Sequence, residues 1–271
     1  MIFYFQSNQR RQFTMGRLLS EKGGLLSPRL AGPTEEDRVP ERLRTNGKVT
    51  DWSRSTKKFT SLVQWLDDFE PDAHRALSFE VFNNSWAGAA WSELYRIDKK
   101  ACEWAEYTVL ITFSGSYWLD KDSNVLFPPV TYLERLQVSK QARQKALSRA
   151  LQGVKKWQSI RAIGGEGHNG YPRVYLGLYL SSPVEKEIFE PVLQSHLNNC
   201  PVADQDAHTL RKAVNIQKSP QHKSELIHAI GKRIPGLKSG EGIVSESWEK
   251  RKVATLLHAG GWQSYSFGKS I

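Results

Sequence analysis

Residues 59–271 are expected to form a single α+β domain: an antiparallel sheet with helices packed on one of its faces. Three observations carry this reading. Stretches of period two and stretches of helical period follow one another as strand, helix, hairpin, helix, strand, helix, which is not a repeated βαβ pattern. Two of the strands, 157–164 and 173–180, are joined by the turn-rich link GEGHNGYP and read as a hairpin. Helix boundaries carry capping residues, first-turn prolines and terminal glycines.

The elements follow in order. FTSLVQWLDDF sets apolar residues at 59, 62, 63, 66 and 69, a helical spacing, and 86–105 reads as a second helix. YTVLITFSGSYW is a strand with Val109, Ile111 and Phe113 on one side and Thr108, Leu110 and Thr112 on the other. After Pro128 and Pro129, Thr131 with Glu134 fits a capping box, and the helical pattern runs to Leu151, with Gly153 as its stop. Beyond the hairpin, Ser182, Pro183 and Glu185 supply N-cap, first-turn proline and capping carboxylate for a helix with Val184, Ile188, Phe189, Val192, Leu193 and Leu197 on one face. AVNIQK (213–218) is a fourth strand, 225–234 and 247–259 are helices, and WQSYSF follows Gly260 and Gly261 as a terminal strand. No internal repeat is visible. Residues 1–58, rich in Arg, Glu, Gly, Pro and Ser without a sustained period, are expected to be a disordered or loosely attached basic segment, with Met15 an alternative start to Met1.

Composition narrows the function classes. The chain has 271 residues, 39% of them hydrophobic, enough for a sizeable core. A net charge of +10 favours an acidic partner such as nucleic acid. Two cysteines, Cys102 and Cys200, make no disulfide framework and point to a reducing compartment, with the cytoplasm as the expected location. No stretch approaches the roughly 18 apolar residues that span a bilayer, so no membrane partner is expected. The opening MIFYF has neither the length nor the basic flank of a signal peptide. There is no GxxxxGK[ST], no CxxC pair and no convincing Ser-His-Asp order, so nucleotide hydrolysis and redox chemistry have no support.

The hairpin's second strand carries the first functional hint. Tyr171, Arg173, Tyr175 and Tyr179 alternate with Pro172, Val174, Leu176, Leu178 and Leu180. If the apolar set packs on the helices, the tyrosines and the arginine look out from an open sheet face. Tyrosine rings stack on bases and arginine pairs phosphates, which makes a single-strand binding surface. The competing reading is an ordinary half-buried antiparallel strand, where tyrosine is favoured anyway.

Three segments read together resemble a known family. They are TVLITFSGS with its proline loop and long helix; the run from WQSIRAIGGEGHNGYPRVYLGLYLSSPVEKEIFEPVLQ through SHLNNCPVADQDAH; and ELIHAIGKRI with the last helix and QSY. Over residues 86–266 this resembles the replication-initiator-like proteins of haloarchaeal plasmids and pleomorphic viruses, which belong with the rolling-circle HUH endonucleases. The GYP turn, the SPV-to-FEPV segment and HLNNCP are the particular marks. The resemblance implies an HUH/Rep-like sheet, DNA as partner in single-stranded or hairpin form, and other replication proteins as possible partners. It also implies two histidines at i and i+2 of a strand holding a divalent metal, and a helix tyrosine that attacks the scissile phosphate.

Carried over residue by residue, the match is incomplete. The His-hydrophobe-His triplet should follow the GYP turn; here it is Arg173, Val174, Tyr175. The nucleophile helix should carry a tyrosine; ELIHAIGKRI has none, and Lys232 and Arg233 stand near its place. Glu166 and His168 remain upstream of the turn as relics of a pocket, a poor metal site by themselves. The expectation is a degenerate member: DNA-facing surface kept through Tyr171, Arg173, Tyr175, Tyr179, Lys232 and Arg233, catalytic residues none, nicking chemistry lost. No cofactor is expected, with Mg or Mn needed only if nicking survives. Members of the family are usually strongly acidic, whereas this chain is basic.

Two further constellations stand beside these. His196, Cys200 and His208 include an i, i+4 pair, which fits either a metal site or a helix end with a buried cysteine. Lys250, Arg251 and Lys252 lie near Glu246 and Glu249, as a charge-balanced solvated face or as phosphate contacts. Two other functions remain open: an active endonuclease with relocated ligands, and a non-catalytic structural or protein-interaction protein on the same fold.

Overall fold

The computed structural model describes residues 82, 84–116, 118–120, 125–127, 129–165, 171–218, 225–243, 246–260 and 262–268. The expectations for residues 1–58, for the helix at 59–69, and for Glu166 and His168 lie outside them. The chain divides into two compact units. The larger comprises Phe82–Ala254 with Gln263–Ile271; of the other, Met1–Val81 with Thr255–Trp262, the described part is the end of the last helix and Trp262. The larger unit holds the sheet.

It opens with α1 (Asn84–Cys102), which turns Ala87, Ala90, Leu94 and Ala101 inward at helical spacing. β1 (Tyr107–Phe113) follows, then the short β2 (Trp118–Asp120) and β3 (Val125–Leu126). Next come α2 (Pro129–Val138), α3 (Lys140–Ala150), β4 (Trp157–Gly164) and β5 (Arg173–Leu180). A 3-10 turn at Lys186–Phe189 leads into α4 (Glu190–Asn199); α5 (Leu210–Ala213), β6 (Val214–Lys218) and α6 (Glu225–Gly231) complete the middle. The last elements are α7 (Trp248–Gly260), which runs into the other unit, and β7 (Tyr265–Phe267).

The five-stranded sheet has the order β6-β1-β5-β4-β7, with every pair antiparallel. The fold is therefore α+β, an antiparallel sheet with helices against it, as the sequence predicts. The hairpin strands begin and end at the predicted residues. Helix starts differ. Pro129 opens α2, so Thr131 lies inside the first turn instead of capping it, and Ser139 interrupts the long helix into α2 and α3. The segment after Pro183 stays extended to Glu185; α4 begins at Glu190, with its first-turn proline at position 191.

The larger difference concerns the face that the tyrosines occupy. Register places Tyr175 opposite Thr112 and Ala162, and Tyr179 opposite Thr108 and Gln158, so these residues share one face. That face is not open. Tyr175 and Tyr179 are 1% and 0% exposed, in a core with Ala90 and Leu94 of α1 and Leu226, Ile227 and Ile230 of α6. Gly177 between them lets α6 press down, since a Cβ there would stand 2.4 Å from Ile230 Cδ1. The Tyr179 hydroxyl donates to the buried Asp98 carboxylate of α1 at 2.6 Å. Tyr171 is buried elsewhere: its ring meets Tyr132 edge-on at 5.0 Å, and its hydroxyl donates to the Phe127 carbonyl. A tyrosine can be buried when its hydroxyl finds an acceptor, and these helices and loops supply one. The predicted stacking platform of Tyr171, Tyr175 and Tyr179 is corrected accordingly.

On the opposite face lie Val109, Ile111, Phe113, Val174 and Leu178, all buried, as their apolar character predicts. Phe113 meets His196 of α4 at 5.2 Å and the Arg143 guanidinium of α3 at 4.2 Å, so helices lie on this side as well.

Candidate nucleic-acid interface

One end of the tyrosine face collects cations. Arg173, half-buried, opens β5 and pairs in register with Gly164, the last residue of β4. Arg233 follows α6 and stacks its guanidinium over the Tyr175 ring, 5.0 Å from the centroid. Its side chain also donates to the Ala229 carbonyl at 2.5 Å, which places a cation at the negative end of the helix. Its own carbonyl accepts from the Gly165 N–H at 3.1 Å, tying the turn after α6 to the end of β4. Gly164 is what allows this closure: a Cβ there would stand 2.5 Å from the Tyr175 ring and 2.9 Å from the Arg233 carbonyl oxygen. The structure thus brings Arg173, Tyr175 and Arg233 to one end of the sheet, with Lys232 exposed beside them.

These residue types do not fit a divalent ion. A guanidinium is a cation with no lone pair to give, and Tyr175, at the second position implied for a metal ligand, lies under another guanidinium. Among the described residues no three His, Cys, Asp or Glu side chains are grouped as a metal site would need. Nor do the nearby tyrosines suit nucleophilic attack. Tyr171, Tyr175 and Tyr179 are buried, out of reach of a phosphodiester, and burial pushes the Tyr171 phenol well above its ordinary range.

A cleft of about 410 Å³ leads away from Lys232, between α6 and the edge strand β6. Thr108, Leu110, Asn215 and Gln217 floor it from β1 and β6, while Glu225 and His228 line it from α6 and Lys232 from the turn that follows. At its margin His228 contacts α1: its Nε2 lies 3.4 Å from the Tyr95 hydroxyl, and the Trp91 ring is 5.7 Å away. Tyr95 is 45% exposed, with exposed Lys99 one turn on. An exposed aromatic ring, two ammonium groups, an imidazole and neutral amides are suited to a nucleotide chain. Sequence reasoning missed Tyr95, His228, Asn215 and Gln217. The available signal was the position of His228 on the exposed side of ELIHAIG, a segment read for the tyrosine it lacks.

The other constellations resolve into structure. Ser114 lies between two histidines. Its carbonyl accepts from His196 Nε2 at 3.1 Å, and its N–H donates to His208 Nε2 at 3.1 Å. A carbonyl only accepts, so His196 carries its proton on Nε2, and Ser139 donates its hydroxyl to Nδ1 at 2.8 Å. His208, accepting on Nε2, donates from Nδ1 to the Asp204 carbonyl. Neither imidazole keeps a lone pair for a metal. Cys200, its thiol pushed up by burial, points at the Arg135 carbonyl at 3.6 Å: a helix end with a buried cysteine. Around α7, Lys250 pairs with the buried Glu246 at 2.8 Å, and the Arg251 Nε–H donates to the Glu246 carbonyl at 3.1 Å. Charge balance holds there, but Arg251 and Lys252 are buried, not solvated, and the Glu246 carbonyl holds Arg251.

The fold and site define an α+β protein whose antiparallel sheet ends in a cluster of cations beside a polar cleft. The chain belongs to the family described as "Putative rep protein (DUF1424)", whose model matches residues 97–265. It is similar to an "Uncharacterized 36 kDa protein" of Halobacterium salinarum, 27% identical over 237 residues that cover 80% of this chain and 72% of that protein. No solved structure matches it. Membership in a Rep family makes this a replication-initiator-like protein. Among the described residues no helix is long and apolar enough to cross a membrane.

Proposed function

We propose that this chain binds single-stranded or hairpin DNA as a replication-initiator-like protein and has lost the nicking chemistry of rolling-circle initiators. The observation that carries the reading is the stacking of Arg233 on Tyr175, 5.0 Å apart, at the sheet end opened by Arg173. At one of the two positions that the resemblance assigns to metal ligands, and near the one it assigns to the nucleophile, this chain has guanidinium groups. Arginine holds a phosphate by forked charge-assisted hydrogen bonds, but it supplies neither a Lewis acid nor an attacking oxygen. Lys232 and the cleft between α6 and β6 extend the surface along which a backbone would run. Family membership and the net charge of +10 support the same reading. A plasmid or viral replicon is the setting that the resemblance suggests.

The test is fluorescence anisotropy of labelled single-stranded and hairpin DNA as salt is raised, with a gel assay for covalent adducts in Mg or Mn. The expected result is tight binding at low salt that falls steeply with ionic strength, and no adduct. Absence of binding at low salt would overturn DNA recognition and turn attention to a protein partner. A phosphotyrosine adduct would overturn the loss of chemistry and favour an active endonuclease with relocated groups.

A further inference from the structure

The face of the sheet opposite Tyr175 and Tyr179 holds a second group of cations. Arg161 of β4 pairs in register with Leu176, which places it on that face. Its Nη2 donates to the neutral Gln137 amide oxygen of α2, and its buried Nε–H has no hydrogen-bond partner. Arg143 of α3 is 5% exposed; its guanidinium rests on Phe113 at 4.2 Å, yet its Nε and Nη1 groups donate to nothing. Lys140, exposed at the start of α3, completes the set. Among the described residues none of the three is in an ion pair.

The bond to Gln137 brings Arg161 to the junction of α2 and α3, where Lys140 and Arg143 stand one turn apart on α3. Burial first and then the Arg161 charge push Arg143 down to about 10, and Arg161 is the largest cause lowering Lys140. Like charges brought together and partly desolvated destabilise a fold unless an anion joins them. The Phe113 ring offsets part of this for one face of Arg143, and leaves Nε and Nη1 of Arg143 and Nε of Arg161 unused.

We propose that Arg143, Arg161 and Lys140 form an oxyanion site that takes a phosphate-class group. Two forked guanidiniums and one ammonium match a tetrahedral oxyanion in charge and in donor geometry. The set is graded from exposed Lys140 through half-buried Arg161 to buried Arg143, so the ligand has an entry side. The site is separate from Lys232 and Arg233 and does not rest on DNA binding there. The same chemistry is offered by a nucleic-acid phosphodiester and by free phosphate or a nucleotide.

The test uses the full chain and inorganic phosphate as probe. Thermal unfolding is followed against phosphate concentration, with chloride making up a constant ionic strength. The expected result is a saturable rise in Tm for the wild type, cut at least about fivefold in Arg161→Gln and in Lys140→Gln. In chloride alone, Arg161→Gln should be at least as stable as the wild type, because repulsion with Arg143 is removed. No rise in the wild type, or an equal rise in all three proteins, would overturn the site. Competition against phosphate, read by 31P line broadening, then separates the sources. Displacement by a short single-stranded oligonucleotide assigns the site to a nucleic-acid backbone; displacement by a nucleoside diphosphate alone assigns it to free phosphate groups.

Discussion

Arg233 lies over the ring of Tyr175, its guanidinium carbon 5.0 Å from the ring centroid, so the turn after α6 is fastened to the central strand β5 by a cation–π contact. The two residues occur 58 positions apart in sequence and come from two segments in which the resemblance implies catalytic side chains. Because Tyr175 is buried, the contact is shielded from solvent and worth more than a surface one. A double-mutant cycle with Arg233→Ala and Tyr175→Leu should give a coupling of about 0.5–2 kcal/mol in urea unfolding. Additive single effects would mean that the stacking is incidental.

Tyr179 separates a binding platform from a core. Its hydroxyl donates to buried Asp98 at 2.6 Å, so Tyr179→Phe removes a donor from a desolvated carboxylate. The expected cost is about 1–3 kcal/mol of stability, with DNA affinity unchanged at a temperature where the variant is folded. A variant of full stability with weakened single-strand binding would restore the open-face reading.

How much of this was legible in the sequence depends on what each pattern encodes. The alternation in 173–180 fixed the strand and put Val174, Leu178 and Leu180 in the core, because period two is local. It could not say what covers the other face. That depends on α1 and α6 being laid across it, with Gly177 leaving room for Ile230 and Asp98 waiting for a hydroxyl some 80 residues away. Arg173, Lys232 and Arg233 were found because a family pattern made their positions meaningful. Arg143 gave no signal, since a lysine- and arginine-rich helix reads as solvated, nor did Arg161 on β4; only the packed structure shows that these two cations face inward.

Lys232 tests the interface with little risk to the fold. It is exposed and lines the cleft, so Lys232→Ala should leave urea unfolding within about 0.5 kcal/mol of the wild type. If it contacts one phosphate, the slope of log affinity against log salt should fall by about 0.7 for single-stranded DNA. An unchanged slope would take Lys232 out of the interface, and Tyr95→Ala would then show whether the aromatic margin of the cleft is used.

Ser114 and its two histidines predict how the fold responds to acid. Burial, then the neighbouring His208, pushes His196 down to about 3, and burial lowers His208 as well. A histidine with a depressed folded pKa is bound neutral, while the unfolded chain takes up a proton near the ordinary value of about 6.5. The unfolded state therefore binds more protons below that pH, so stability is complete above about 6.5 and falls as pH drops toward about 3. The slope is at most about 1.4 kcal/mol per pH unit for each histidine. Urea unfolding between about pH 7 and pH 4.5 should show this loss, and His196→Asn should be less stable at neutral pH with a shallower dependence on acid. A profile just as steep in the variant would mean that acid acts elsewhere, and that the Ser139–His196–Ser114 bridge does not set the acid limit of the fold.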